Sequence, residues 1–80
     1  MVRVRLFAAL RDAAGTVEVE LPPGTLGELL DTLRGRYGAR FTAILGYSSV
    51  LVDTERCDDP ARAVPDGAEV ALLPPFSGGG

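Results

Sequence analysis

Eighty residues suffice for one domain, and a chain of this size buries only about 60–65% of its unfolded surface, so its core is small. With 46% hydrophobic and 24% charged residues, the composition is that of an ordinary soluble globule. A net charge of −3 and a pI near 4.7 lack the basic footprint that nucleic acid requires.

No apolar run approaches the ~18 residues that span a bilayer. The first residues alternate Val and Arg, unlike a signal peptide, so no membrane partner and a cytosolic location are expected. All eight cationic residues are Arg, and there is no Lys or His. The commonest general base, the Schiff-base amine and the commonest metal ligand are therefore missing. The acidic residues are scattered, with only Asp58 and Asp59 adjacent, and read as solvated surface.

Val2, Val4 and Leu6 alternate with Arg3 and Arg5, which predicts a half-buried strand. Ala8 to Ala14 is rich in helix formers and stops at Gly15, a plausible C-cap, so one or two helical turns packed by Leu10 are expected. Thr16 to Leu21 predicts a second strand, with Val17, Val19 and Leu21 on one face and Glu18 and Glu20 on the other. Pro22-Pro23-Gly24 ends it.

Thr25-Leu26-Gly27-Glu28 has the form of a capping box, in which the Thr25 hydroxyl and the Glu28 carboxylate each accept the other residue's backbone N–H. Leu26, Leu29, Leu30 and Leu33 then share one helical stripe, read as core. Arg34 and Arg36 stand in the last turn, where cations suit the helix dipole, and Gly38 closes the helix. Phe41, Ile44 and Leu45 make an apolar patch before Gly46, read as another helical turn.

Ser49 to Val52 predicts a short strand, which Asp53-Thr54-Glu55 turns into a brief partner around Arg56-Cys57. Cys57 cannot form an internal disulfide. Lying between Arg56 and Asp58-Asp59 without a base, it reads as a small half-buried hydrophobe. Asp58 to Val64 reads as a loop anchored by Val64. Pro65-Asp66-Gly67 has the chemistry of a turn, and Ala68 to Leu73 alternates as the last strand. The predicted order makes an α+β fold, a sheet with one main helix covering one face.

The strand then runs through Pro74-Pro75-Phe76-Ser77 into Gly78-Gly79-Gly80. Ordering each such residue costs about 1–2 kcal/mol, so this tail helps a fold little. It makes a thin, pliable peptide whose terminal carboxylate can enter a narrow active site on another protein. A loose end or a cloning remnant is the competing reading of glycines alone.

Taken together, the ββαββ order, the Thr-capped Leu helix, Val4-Arg5-Leu6-Phe7-Ala8-Ala9-Leu10-Arg11-Asp12-Ala13-Ala14-Gly15, Asp66-Gly67-Ala68-Glu69-Val70 and Leu73-Pro74-Pro75-Phe76-Ser77-Gly78-Gly79 resemble the small sulfur-carrier proteins of the β-grasp (ubiquitin-like) fold. The MoaD-type small subunit of molybdopterin synthase is the branch most similar. The resemblance covers the whole chain, and the Pro-Pro and Gly-Gly ending is its most specific part.

It implies a mixed four- to five-stranded sheet with a β-grasp domain over residues 1–75 and a glycine tail over 76–80. It implies that an E1-like (MoeB-type) adenylyltransferase uses ATP to activate the terminal glycine, that a sulfur donor converts it to a thiocarboxylate, and that a large (MoaE-type) synthase subunit receives the sulfur for the molybdenum cofactor. No stably bound cofactor and no metal is implied, and the carrier needs no catalytic side chain of its own. Gly80 carries the chemistry, or Gly79 if the chain is trimmed. Phe7, Leu73, Pro74, Pro75, Phe76, Ser77, Gly78 and Gly79 are the implied partner-binding residues.

Three positions depart from the family pattern. There is one glycine beyond Gly-Gly. Val52-Asp53-Thr54 stands where Val-Asn-Gly is common, which bears on the tightness of the hairpin. Ala68 replaces the more usual Asp. Other acceptors fit the same carboxylate chemistry: thiazole, cysteine, a thiolated tRNA or a specialised metabolite. So does a ubiquitin-like modifier joined through its tail to a lysine, while a plain interaction domain would leave the tail inert.

Overall fold

A computed structural model describes residues 1–75. Its elements are β1 (Val2–Leu6), α1 (Ala8–Ala14), β2 (Glu18–Leu21), β3 (Gly24–Thr25), α2 (Leu26–Leu45), β4 (Ser49–Val52), β5 (Glu55–Arg56), β6 (Ala63–Val64) and β7 (Glu69–Leu73). Five of the strands form one mixed sheet in the order β2-β1-β7-β4-β5. The central pair, β1 and β7, is parallel with Leu6 beside Leu72, and every other pairing is antiparallel. β3 and β6 form a separate two-residue ladder.

Alternation in the strands decides which face is covered. Val2, Val4 and Leu6 are buried while Arg3 and Arg5 are exposed, and Val19, Leu21, Val52, Val70 and Leu72 complete the inner face. α2 lies over that face with Leu26, Leu29, Leu33, Phe41 and Leu45, and α1 contributes Leu10. Each such side chain contributes about 1.5–3 kcal/mol on burial. No polar side chain is buried among the described residues.

The predicted capping box is present: Glu28 N–H donates to Thr25 Oγ1 at 3.2 Å and Thr25 N–H donates to Glu28 Oε1 at 2.8 Å. The next two first-turn amides are also engaged. Leu26 N–H reaches the Arg62 carbonyl at 2.8 Å, and Gly27 N–H reaches the Pro60 carbonyl at 2.9 Å. This approach suits glycine at 27, where a Cβ would stand 3.1 Å from Pro60 Cβ. The segment read as a plain loop thus closes over the start of the helix.

Gly38 does interrupt α2, at φ 84 and ψ −161, a backbone region almost exclusive to glycine. The helix resumes beyond it and buries Phe41 and Leu45, as the apolar patch suggested.

Two strand readings need adjustment. β2 begins at Glu18 rather than Thr16, and Val17 is 62% exposed instead of sharing the buried face of Val19. Its carbonyl still accepts from Leu6 N–H at 2.9 Å, but it lies at the end of the sheet, past the buried residues. β7 likewise begins at Glu69, although Ala68 just before it is buried. The sheet edge at β2 is blunted: Thr16 Oγ1 both accepts from Glu18 N–H and donates to the Glu18 carbonyl, and two prolines follow Leu21. None of the helices among the described residues is long and apolar enough to cross a membrane.

Candidate functional site at the end of the last strand

Period two on β1 places Arg3, Arg5 and Phe7 on the face away from the helix, so Phe7 is not part of the buried core. It is half-buried and follows β1 as the N-cap residue of α1, its carbonyl accepting from Leu10 N–H at 3.1 Å. Ala8 then turns the chain at φ 50, an unusual value for a residue with a side chain. The parallel pair Leu6 and Leu72 is followed on adjacent strands by Phe7 and Leu73. Leu73 is half-buried and pairs with Ser49 on its other side.

Pro74 is buried and Pro75 is exposed. Within the described residues, the accessible part of the expected partner surface is therefore Phe7, Leu73 and Pro75. Phe76, Ser77, Gly78, Gly79 and Gly80, including the position expected to carry the chemistry, lie outside the described residues. What the structure does define is the exit: the chain leaves from a central strand, held on both sides, through two residues whose φ is fixed.

Arg5, outside the set of expected site residues, stands beside Phe7 on this face. Its guanidinium lies 5.6 Å from the centre of the Phe7 ring and 3.7 Å from Glu69 Oε2. The signal was available, since positions 5 and 7 fall on one strand face. On the same outer face, Leu51 and Ala71 floor a shallow groove rimmed by Asp53, Thr54 and Glu69. Arg3 pairs with Glu18 at 3.3 Å. These pairs are solvent-exposed and contribute about 0–1 kcal/mol each.

Cys57 is half-buried against the core, as its reading as a small hydrophobe anticipated, and its N–H continues the β4–β5 pairing by donating to the Val50 carbonyl at 2.9 Å.

A mixed five-stranded sheet clasping one main helix, with the last strand central, defines a β-grasp, ubiquitin-like protein. Among the solved structures that share this fold over almost their full length, two serve for comparison. One is the crystal structure of SAMP1 from Haloferax volcanii, at 32% identity and a TM-score of 0.77, covering 96% of this chain and 97% of that one. The other is the solution structure of small archaeal modifier protein 1 from Methanosarcina acetivorans, at 29% identity and a TM-score of 0.82, covering 96% and 94%. The ThiS family matches residues 4–79, and the chain belongs to that family. It is also 36% identical over 81 residues to the molybdopterin synthase sulfur carrier subunit of Phaeosphaeria nodorum, covering 91% of this chain and 84% of that protein.

Proposed function

We propose that this chain is a sulfur carrier for molybdopterin synthesis, acting as the small subunit of a molybdopterin synthase. The observation that carries the reading is the exit of β7: a strand central to a β-grasp sheet leads through Pro74-Pro75-Phe76-Ser77 into a glycine-rich end, in a chain of the ThiS family. The 36% identity to a molybdopterin synthase sulfur carrier subunit favours this acceptor over the others.

A carboxylate is a poor acyl donor, so the terminal group must first be activated. An E1-like enzyme supplies ATP: a carboxylate oxygen of Gly80 attacks the α-phosphorus and pyrophosphate leaves. A sulfur nucleophile then displaces AMP, and the terminus becomes a thiocarboxylate. The thiocarboxylate sulfur is nucleophilic: it bonds to a carbon of the pterin precursor held by a large, MoaE-type subunit in place of an oxygen substituent, and water then cleaves the C(O)–S bond, returning the glycine carboxylate and leaving the sulfur on the precursor. All the catalytic side chains belong to the partners. The role of this chain is to present a strip without β-carbons, narrow enough for a closed channel. Gly79 takes the role of Gly80 if the last residue is removed first.

The test is intact-mass spectrometry of the whole chain after incubation with an E1-like adenylating enzyme, ATP and a sulfur donor. The reading expects a gain equal to the mass difference between sulfur and oxygen, located at the last residue. No gain beside a related carrier that is converted would end it.

The likeness to small archaeal modifier proteins favours one second reading, a modifier joined through its tail to lysine side chains. Isopeptide conjugates ending in the tail peptide, recovered from cells, would support it.

A further inference from the structure

The activation that the carrier reading requires turns the terminal carbonyl into an acylating agent, and the first nucleophiles it meets belong to the chain itself and to its other copies. An acyl-adenylate reacts with a free amine. The nitrogen lone pair attacks the carbonyl carbon and a C–N bond forms; the C–O bond to the phosphate breaks, AMP leaves with that electron pair, and the amine proton passes to water. The side chains of this protein offer no such amine, because all eight cationic ones are arginine. A guanidinium stays charged and delocalised, whereas lysine is an amine that acylates.

The other nucleophiles are covered or unassisted. Cys57 is half-buried against the core, with Sγ 3.9 Å from the Asp59 carbonyl oxygen. The hydroxyls of Thr32, Thr42 and Ser48 each donate to a backbone carbonyl of α2. Tyr47 is exposed, but a phenol needs a base to attack and the chain has no histidine. The amino group of Met1 is ion-paired with Asp66, at the end of the sheet away from Leu72 and Leu73. Arg3, Arg5, Arg11, Arg34 and Arg62 each stand within 4.0 Å of a carboxylate oxygen. Arg36, Arg40 and Arg56 are exposed and have no ion pair among the described residues. A lone solvated charge makes no use of the fork that arginine brings to a carboxylate, so these three positions suit lysine equally, and all three hold the cation that does not acylate.

We propose that the body of this chain is inert toward its own activated terminus, so that copies do not join to one another and an acceptor amine on any other molecule receives a single copy. The inference rests on the carrier reading above and adds which acceptors the activated tail is denied.

The experiment uses the full chain with an E1-like adenylating enzyme and ATP, without a sulfur donor, so that the adenylate is the acylating species. Hydroxylamine in a parallel sample reports activation by converting the terminus to a hydroxamate, read by intact mass. The parent should give the hydroxamate and no species of two chain masses less one water. R36K, R40K and R56K, combined in one chain, keep the charge and break no ion pair among the described residues, so this variant should melt like the parent. It should give the joined species, with the link mapped to an introduced amine by peptide mass spectrometry. Joined copies of the parent, through Met1, Cys57 or any other residue, overturn the inference and leave the carrier reading standing. So does a triple variant that gives the hydroxamate but no joined copies. If the parent gives no hydroxamate while a related carrier does, the carrier reading falls and the inference falls with it.

Discussion

Asp53 is bound to Glu69 through two hydrogen bonds of opposite sense: Asp53 N–H donates to the Glu69 carbonyl at 2.8 Å, and Glu69 N–H donates to Asp53 Oδ1 at 2.9 Å. Asp53 has φ 47, which takes its own carbonyl out of line with β7. The carboxylate stands in for that carbonyl and completes the rung. Replacing Asp53 by Ala should cost about 1–3 kcal/mol, from the lost bond to a charged acceptor and from alanine's poorer fit at positive φ. Asn keeps an acceptor of the same reach and tolerates this backbone, so Asp53→Asn should lose much less. Chemical denaturation of the two variants decides this, and equal losses would refute the rung.

Thr54 follows at φ 73, so both central residues of the two-residue β4–β5 turn have positive φ, the requirement of a type I′ hairpin. The hairpin is tight although Val52-Asp53-Thr54 replaces the more usual Val-Asn-Gly. A β-branched residue in this conformation is strained. Thr54→Gly should therefore raise stability by about 1 kcal/mol, visible as a higher melting temperature. A lower melting temperature would show that the methyl and hydroxyl contribute more than the backbone loses.

Two glycines of α2 should respond in opposite directions to one chemical change. Gly35 is helical and a Cβ there meets nothing within 4 Å, so Gly35→Ala should stabilise by up to about 1 kcal/mol through helix propensity. Gly38 has equally open surroundings but φ 84. Gly38→Ala should destabilise by about 1–3 kcal/mol through the backbone alone. Thermal melts of both variants with the same sign would contradict the interrupted helix.

Leu29 is only 4% exposed, whereas its neighbour Leu30 is half-buried against the core. Leu29→Ala should cost about 2–5 kcal/mol and Leu30→Ala distinctly less. Urea unfolding measures both, and a larger loss at Leu30 would displace the helix face assigned here.

Removing the terminal glycine, or appending a bulky residue to it, should abolish sulfur gain by intact mass and leave the melting temperature nearly unchanged. A marked fall in melting temperature would mean that these residues help hold the fold.

Local chemistry was legible before the structure. Alternation marked β1, β2, β4 and β7, the Thr25 box marked the start of α2, and Gly15 took its αL cap at φ 75. The parallel pairing of β1 with β7 was not legible as a register, because it joins residues more than sixty positions apart and depends on what covers both strands. The ladder of β3 with β6 has only two residues on each side, too few for any period to show. Val17 was misplaced because alternation reports the face of a strand and not where its cover ends. At the site, Phe7 and Leu73 could be named from pattern. The Arg5 stacking and the burial of Pro74 needed coordinates.

The central place of β7 has a mechanical meaning. A pull on Pro75 along the strand meets the β1 and β4 ladders together, loading their hydrogen bonds in shear rather than opening them one after another. A partner drawing on the tail therefore tugs at a strand held on both sides, and single-molecule extension between the first and last residues should record one abrupt, high-force rupture rather than a gradual peeling.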